Sequence, residues 1–306
     1  MKRSLLLACA FAAVAAVPLF AATPKKLLVV SVTMGFRHTS IETGEQVLRD
    51  LAAKSGDFTV DFVSQPAGAP KLVFRPRKPA NGDDAAYQAA LKQFEVDDAA
   101  YQAALEQWKP KAVKALEALS AENLSRYDAV LFASTTGDLP LPDKEAFVKW
   151  IADGHAFIGI HAATDTFHGF PEFVKMIGGE FLTHGPQVEV DCLKDDPAHP
   201  ATKHLPNAWT LFDEIYQFKN YERSAVHQLL SLDKHPNEKT PGFYPVSWTK
   251  SYGQGRVFYT SLGHREDIWD PQAKDDKGAR KNDAEIARQY QQHVLGGIRW
   301  ALGLAE

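Results

Sequence analysis

Short apolar segments that alternate with helical segments constrain the fold of this chain more than any other feature. The first apolar segments lie at residues 26–32, 58–63, 127–132 and 156–160. Helical patterns of about ten residues separate most of them. Strands that alternate with helices lie parallel in a sheet whose two faces are both covered. The pattern therefore predicts an α/β fold with a mostly parallel central sheet.

The second half of the chain is less regular but continues the sheet. It contains further predicted strands and a closing amphipathic helix, at residues 187–193, 209–212, 228–232, 246–250, 256–261 and 286–302. A chain of 306 residues is long enough to bury a substantial core in one domain. We expect residues 23–306 to form that single domain.

The N-terminal segment has the pattern of a secretory signal peptide. Lys2 and Arg3 are followed by an apolar stretch to Val17 and by small residues near position 22. We expect residues 1–22 to be removed, which leaves a periplasmic or secreted protein that does not contact a membrane after processing. Cys192 would then be the one remaining cysteine, so no internal disulfide is expected.

A tandem repeat interrupts the alternation between about residues 67 and 110. Residues 83–94 recur in similar form as residues 97–108. Because fourteen residues make nearly four helical turns, the apolar residues of both copies fall on one helix face. These residues are Tyr87, Leu91, Phe94, Tyr101, Leu105 and Trp108. We expect an inserted helical segment, and its aromatic stripe could pack on its own domain, on a partner subunit or on a sugar.

Four histidines lie where predicted strands or loops end, beside glycine or other small residues: His38, His161, His184 and His264. In a parallel sheet, ligands bind beyond the carboxyl ends of the strands. Imidazoles combined with a carboxylate bind zinc, manganese or iron, so these histidines are candidate ligands of a divalent metal. The same groups could act as general acid and base. A single histidine at a strand end is more often only a structural hydrogen-bonding group.

Carboxylates occupy comparable positions, at Asp165, Glu214, Glu266 and Asp267. Glu214 directly follows Asp213, and this acidic pair could equally form a solvated loop. Cys192 lies within a predicted strand, where a buried and unreactive thiol is expected. The formal net charge is −4, and the chain has no basic patch of the kind that binds nucleic acid. The sequence therefore argues against a nucleic-acid partner.

Several motifs together resemble the ThuA-like, or trehalose-utilisation, family within the class I glutamine amidotransferase-like superfamily. The motifs are GIHAATD at residues 159–165, MIGGEF at 176–181, HGP at 184–186, DEIY at 213–216, WTK at 248–250 and GRVFY at 255–259 followed by Gly263 and His264. The resemblance extends from about residue 27 to residue 304. The repeat is a departure from the family pattern.

The resemblance implies a flavodoxin-like three-layer sandwich. In the superfamily, the sharp turn after a central strand carries a catalytic cysteine, and a later strand delivers its histidine partner. Here His161 occupies that turn, while His264 with Glu266 or Asp267 resembles the remaining histidine and acid. Amidotransferase chemistry should therefore be absent.

The resemblance also implies a small carbohydrate as the partner. Our leading hypothesis is an exported enzyme that isomerises, eliminates or hydrolyses a glycoside or 3-keto-sugar. His161, His264 and Glu214 would be its catalytic centre. Its substrate-binding residues would be Phe36, Arg37, Thr164, Asp165, Tyr216 and Glu266. The alternatives are a non-catalytic sugar-binding module and a metal-dependent hydrolase of other substrates, and the protein could form a homo-oligomer.

Overall fold

The computed structural model describes residues 23–78, 84–275 and 277–306. The predicted signal peptide, residues 1–22, lies outside the described residues. Within the described ranges, no helix has both the length and the apolar character needed to span a membrane.

Strands account for the regular structure at the centre of the fold. In chain order they are β1 (Lys25–Val30), β2 (Phe58–Val63), β3 (Ala129–Ala133), β4 (Ala156–Ile160), β5 (Glu180–His184), β6 (Val188–Lys194), β7 (Ala208–Asp213), β8 (Tyr216–Lys219), β9 (His227–Lys234), β10 (Pro241–Tyr252) and β11 (Gly255–Thr260). The helices are α1 (Ile41–Ser55), α2 (Asp84–Leu116), α3 (Ala121–Leu124), α4 (Lys144–Ala152), α5 (Pro171–Ile177), α6 (Glu266–Trp269) and α7 (Ala284–Ala301).

Nine strands form one sheet in the order β2-β1-β3-β4-β11-β10-β9-β6-β7. The half from β2 to β11 is parallel throughout. From β11 onwards each strand pairs antiparallel with the next. A tight turn at Gly253 joins β10 to β11, whereas a parallel pair would need a longer crossover connection. The predicted large α/β sheet is confirmed, and its second half is antiparallel.

Helices cover both faces of the sheet. Alternate residues of β1 divide between two buried clusters, as the two-residue period of a strand requires. Leu27 and Val29 pack with residues of α1 and α7, whereas Leu28 and Val30 pack in the cluster that contains residues of α2 and α4. The parallel half is therefore buried on both sides, and its strand ends are held between two helical layers.

Helix α2 contains the part of the tandem repeat that the structure describes. The sequence predicts a new helix from Pro110, but α2 continues through Pro110 to Leu116. Buried residues on both sides of the proline, including Trp108 and Ala112, hold the helix against the core despite the lost backbone hydrogen bond. The second copy of the aromatic stripe thus packs on its own domain, with Tyr101 and Trp108 buried.

Strands β5 and β8 pair with each other outside the main sheet. The sequence pattern does not predict either of them, since they are short and not strictly alternating. Together they carry two residues of interest, because His184 ends β5 and pairs with Tyr216 at the start of β8.

Candidate metal centre

His161 follows the buried strand β4 directly and adopts a left-handed backbone conformation, with φ at 48°. Such a φ is uncommon outside glycine and marks a sharp, strained turn. The turn needs small neighbours: a Cβ atom on Gly159 would lie 2.9 Å from the ring of Tyr259. The His161 side chain is fully buried at this turn.

Two further histidines reach the same place from other strands of the parallel half. His38 lies in the loop after β1, and His264 follows β11 through Gly263, whose φ is 123°. Glu214 comes from the antiparallel half, immediately after β7. Because the carboxyl ends of parallel strands lie at one edge, His38, His161 and His264 meet there.

The four side chains of His38, His161, Glu214 and His264 form a compact group. One nitrogen or oxygen from each lies within 4.8 Å of all the others. The Nε2 atom of His161 is 3.2 Å from Nε2 of His38 and 3.3 Å from Nδ1 of His264. Oε1 of Glu214 is 3.2 Å from Nδ1 of His264 and 3.8 Å from Nε2 of His161.

The hydrogen bonds of His161 determine which of its nitrogens carries the proton. Its Nδ1 lies 2.6 Å from the carbonyl oxygen of Ser261, which only accepts hydrogen bonds. Burial and the neighbouring His38 and His264 lower the pKa of His161 well below its usual value, so the ring is neutral. Nδ1 therefore carries the hydrogen, and the Nε2 lone pair faces the other members of the group.

The electrostatics of the group keep His38 neutral and Glu214 charged. Burial, reinforced by His264 and His184, lowers the pKa of His38 to about 3. Burial opposes the charge on Glu214, but hydrogen bonds from His184 and His264 outweigh it and hold the pKa of the carboxyl at about 2. Burial would lower the pKa of His264, yet its bond to Glu214 raises it overall. The result is one carboxylate among three imidazoles.

These distances and donor types fit a divalent metal. Two ligand atoms that each lie about 2.1 Å from one ion are about 3.0 Å apart at a right angle and about 3.4 Å apart at the tetrahedral angle. Three of the measured separations, 3.2, 3.3 and 3.2 Å, fall in that range. The backbone carbonyl behind Nδ1 of His161 is the usual partner of a metal-binding histidine. The donor set of three imidazoles and one carboxylate suits zinc, manganese or iron.

His184, the fourth predicted metal ligand, lies outside this group and contacts it through Glu214. Its Nδ1 is 2.9 Å from Oε2 of Glu214, and its side chain is 44% exposed. The hydrogen bond to Glu214 raises the pKa of His184 although burial opposes this. His184 is thus a proton-carrying group at the accessible side of Glu214.

The predicted substrate-binding residues surround the group at different depths. Thr164 and Tyr216 are buried: the Thr164 hydroxyl lies 3.0 Å from that of Tyr259, and the Tyr216 ring packs 4.4 Å from that of His161. Asp165 is 2.6 Å from Nε2 of His168, and burial raises its pKa although His168 opposes the shift.

The remaining predicted contacts lie nearer the surface. The ring of Phe36 packs edge-on against His38 and is 39% exposed. Arg37 donates to the carbonyl oxygen of Ser31 and to Glu42, each at 2.8 Å. Glu266 accepts a hydrogen bond from Thr39.

The acidic pair of Asp213 and Glu214 lies in the interior. Asp213 is fully buried, as Glu214 nearly is, so the solvated-loop interpretation of this pair is wrong. Oδ2 of Asp213 accepts the backbone N–H of Gly263 at 2.7 Å, which holds the turn that carries His264.

Two further residues stabilise the turns after the strands. Tyr259 donates to the carbonyl oxygen of His161 at 2.7 Å. The sequence predicts Ser40 as the N-cap of α1, and Ser40 occupies that position, but its hydroxyl donates to the carbonyl oxygen of Gly263 and not to the helix. The sequence pattern gives no signal for these contacts, because each joins residues far apart in the chain.

Cys192 does not contribute to this centre. It lies fully buried in β6, within the antiparallel half of the sheet, and has no disulfide partner among the residues that the structure describes. Burial raises the pKa of its thiol, so the reactive thiolate is suppressed. The prediction of a buried thiol is confirmed.

Comparison with known proteins identifies the family. The ThuA family profile, described as trehalose utilisation, matches residues 72–276, about two thirds of the chain. No curated protein matches the sequence.

Two solved structures share the fold. A ThuA-like protein from Parabacteroides merdae has 21% identity and a TM-score of 0.58, over 92% of this chain and 91% of its own. One from Bacteroides uniformis has 18% identity and a TM-score of 0.57, over 94% and 95%. At these identities the similarity shows a common fold. The extent of the profile match shows that the chain belongs to the ThuA family, the family of trehalose utilisation.

Proposed function

We propose that this protein is a carbohydrate-processing enzyme with a divalent metal held by His38, His161, Glu214 and His264. One observation carries the proposal: the Nε2 lone pair of buried, neutral His161 faces three further donor side chains at 3.2 to 3.8 Å. Without a metal, Nε2 of His38 can donate a hydrogen bond to this lone pair, and a bound cation would instead take a lone pair from each of the two rings. The donor set favours zinc, manganese or iron as that cation.

The family supports a sugar as the substrate. ThuA proteins are grouped by trehalose utilisation, and we infer that this chain acts on a glycoside or on its 3-keto form. A ketone in the substrate would suit the centre, because a bound divalent ion polarises a carbonyl oxygen. The reaction would then be an isomerisation, an elimination of the glycosidic group, or a hydrolysis.

Residues of the chain would move the protons. His184 is partly exposed, and its hydrogen bond to Glu214 raises its pKa, which suits an acid that protonates the oxygen of the leaving group. Asp165 is held by His168 and has a raised pKa, which suits a base that removes the proton beside a ketone. Glu214 is a poor base because its pKa is held at about 2, so a role as ligand suits it better.

The order of the parallel strands supports the proposal that this protein lacks amidotransferase chemistry. The five parallel strands run in the order β2-β1-β3-β4-β11, which is the flavodoxin-like order when they are counted along the chain. By the resemblance to that superfamily, His161 would occupy the turn where amidotransferases carry their cysteine. We propose that metal and imidazole chemistry replaced thiol chemistry at this position, and that the mature protein works outside the cytoplasm after removal of residues 1–22.

A combined metal and turnover assay tests the proposal. The purified protein is loaded with zinc, manganese or iron, and the bound metal is measured together with turnover of 3-keto-glucosides and intact disaccharides. We expect bound metal and turnover in the wild type, and loss of both in His161→Ala with the fold retained. His227→Ala is the matched control, since this histidine is 60% exposed and pairs with Asp196. Sugar binding without turnover would indicate the non-catalytic module instead.

A further inference from the structure

A cavity of about 440 Å³ adjoins the candidate centre and shares His38 with it. It lies between the loop after β1 and the second copy of the repeat in α2. Its apolar lining comes from Met34, Phe36, Leu72, Phe74, Tyr101 and Leu105. The volume is within the range of about 300–1,000 Å³ that is typical of small-molecule sites.

Aromatic rings connect the centre to this cavity. The ring of Phe36 lies 4.7 Å from that of His38 and 5.9 Å from that of Phe74, measured between centroids. Phe74 is 67% exposed, although covering a large apolar side chain is favourable. A ligand that reaches from His38 past Phe36 would cover Phe74.

Part of the polar lining of the cavity already has partners within the protein. The Arg37 guanidinium bonds to the carbonyl oxygen of Ser31 and to Glu42. Gln65 accepts from the backbone N–H of Thr33 at 2.7 Å and donates to its carbonyl oxygen at 3.2 Å. The indole N–H of Trp108 donates to the carbonyl oxygen of Pro66. A sugar ring has many hydroxyl groups that need hydrogen bonds when they are buried, whereas this cavity presents more apolar than polar surface.

We propose that this cavity binds an aromatic aglycone, so that the enzyme selects glycosides whose leaving group is a planar apolar ring. The inference rests on the proposed function for the position of the sugar, which would lie at the centre beside His38. Aromatic side chains prefer edge-to-face or offset contacts with another ring, and Phe36, Phe74 and Tyr101 offer such contacts here. The repeat-bearing helix α2 thereby becomes a specificity element.

Calorimetry on the full-length protein tests the proposal. Binding of phenyl glucosides is compared with binding of methyl glucosides, in both anomeric forms. We expect the phenyl compounds to bind at least about tenfold more tightly, and Phe74→Ala to reduce that preference several-fold. Because Phe74 is exposed, this substitution removes no core packing. Val96→Ala, an exposed apolar residue on α2 outside the cavity lining, should keep the wild-type preference.

The same titrations in His161→Ala separate this proposal from the proposed function. A phenyl preference that persists in His161→Ala supports the aromatic subsite, whether or not this variant turns over sugars. The catalytic assignment is contradicted if the wild type does not turn over sugars. Equal affinities for phenyl and methyl glucosides, or an unchanged preference in Phe74→Ala, would overturn the subsite even if the wild type turns over sugars.

Discussion

The Nε2 atoms of His38 and His161 lie 3.2 Å apart in the interior of the protein. Both rings are almost fully buried, and this burial is the main reason why the pKa of each is lowered. Within the described part of the chain, Nδ1 of His38 has no hydrogen-bond partner, whereas its Nε2 can donate to the Nε2 lone pair of His161. A bound cation would take both Nε2 lone pairs and leave the proton of His38 on Nδ1.

Metal affinity should divide the histidines into ligands and neighbours. We expect His38→Ala to weaken zinc binding by more than about 100-fold, because even residues that only support a ligand contribute about 10–100-fold. His184→Ala should weaken it by only about 10-fold, the low end of that range, because His184 is partly exposed and supports the group through Glu214. Competition titration with a zinc chelator measures both. Equal losses in the two variants would contradict the four-residue assignment.

The turn that carries His264 should tolerate no side chain at Gly263. Its φ of 123° is strained for any other residue, and a Cβ atom would lie 2.6 Å from the hydroxyl oxygen of Tyr290. We expect Gly263→Ala to lower the free energy of unfolding by about 2–4 kcal/mol, measured by urea denaturation, and to weaken metal binding. Gly303→Ala is the control, because Gly303 has a φ of 70° with open space around it. Gly303→Ala should lower the free energy of unfolding by only about 1–2 kcal/mol.

The hydroxyl of Tyr259 should stabilise the turn at His161. It donates to the His161 carbonyl oxygen and contacts the Thr164 hydroxyl, and all three residues are buried. Tyr259→Phe leaves these groups without a partner, so we expect a loss of about 1–3 kcal/mol in the free energy of unfolding. Tyr252→Phe, at a partly exposed position of β10, should change it by less than about 0.5 kcal/mol. A Tyr259→Phe protein as stable as the wild type would refute this role.

Stability should fall in mild acid because of buried neutral histidines, among them His293 in α7. Burial lowers the pKa of His293 from 6.5 to about 3. Between these values the unfolded chain binds a proton on this ring and the folded protein does not. The His293 contribution is therefore complete above pH 6.5 and is lost progressively as the pH falls towards 3.

Urea denaturation between pH 6.5 and 4.5 measures this effect. His293→Gln should reduce the slope of the free energy of unfolding against pH by up to about 1.4 kcal/mol per pH unit, the value for one proton. At pH 8 the difference in the free energy of unfolding between the wild type and His293→Gln measures the lost hydrogen bond to Ala201. An unchanged slope would show that His293 is not neutral in the folded protein.

The parallel half of the fold could be predicted from the sequence because each of its strands is a short apolar segment followed by a helix. Histidines at the ends of such strands must lie at the same edge of the sheet, which is why His38, His161 and His264 were identified together. The strand pattern alone does not place Glu214 beside them, because its position depends on the antiparallel pairing of β7 far along the chain, and only the family resemblance predicts it there. Likewise, α2 continues through Pro110 because of tertiary contacts, which the helix propensities of its residues do not predict.

Anomalous X-ray diffraction from crystals of the zinc- or manganese-loaded protein tests the central claim most directly. The account predicts a single strong peak about 2.0–2.3 Å from Nε2 of His38, Nε2 of His161, Nδ1 of His264 and a carboxylate oxygen of Glu214. The same experiment on His161→Ala should show no peak there. A loaded wild-type crystal with no peak among these four side chains would contradict the claim.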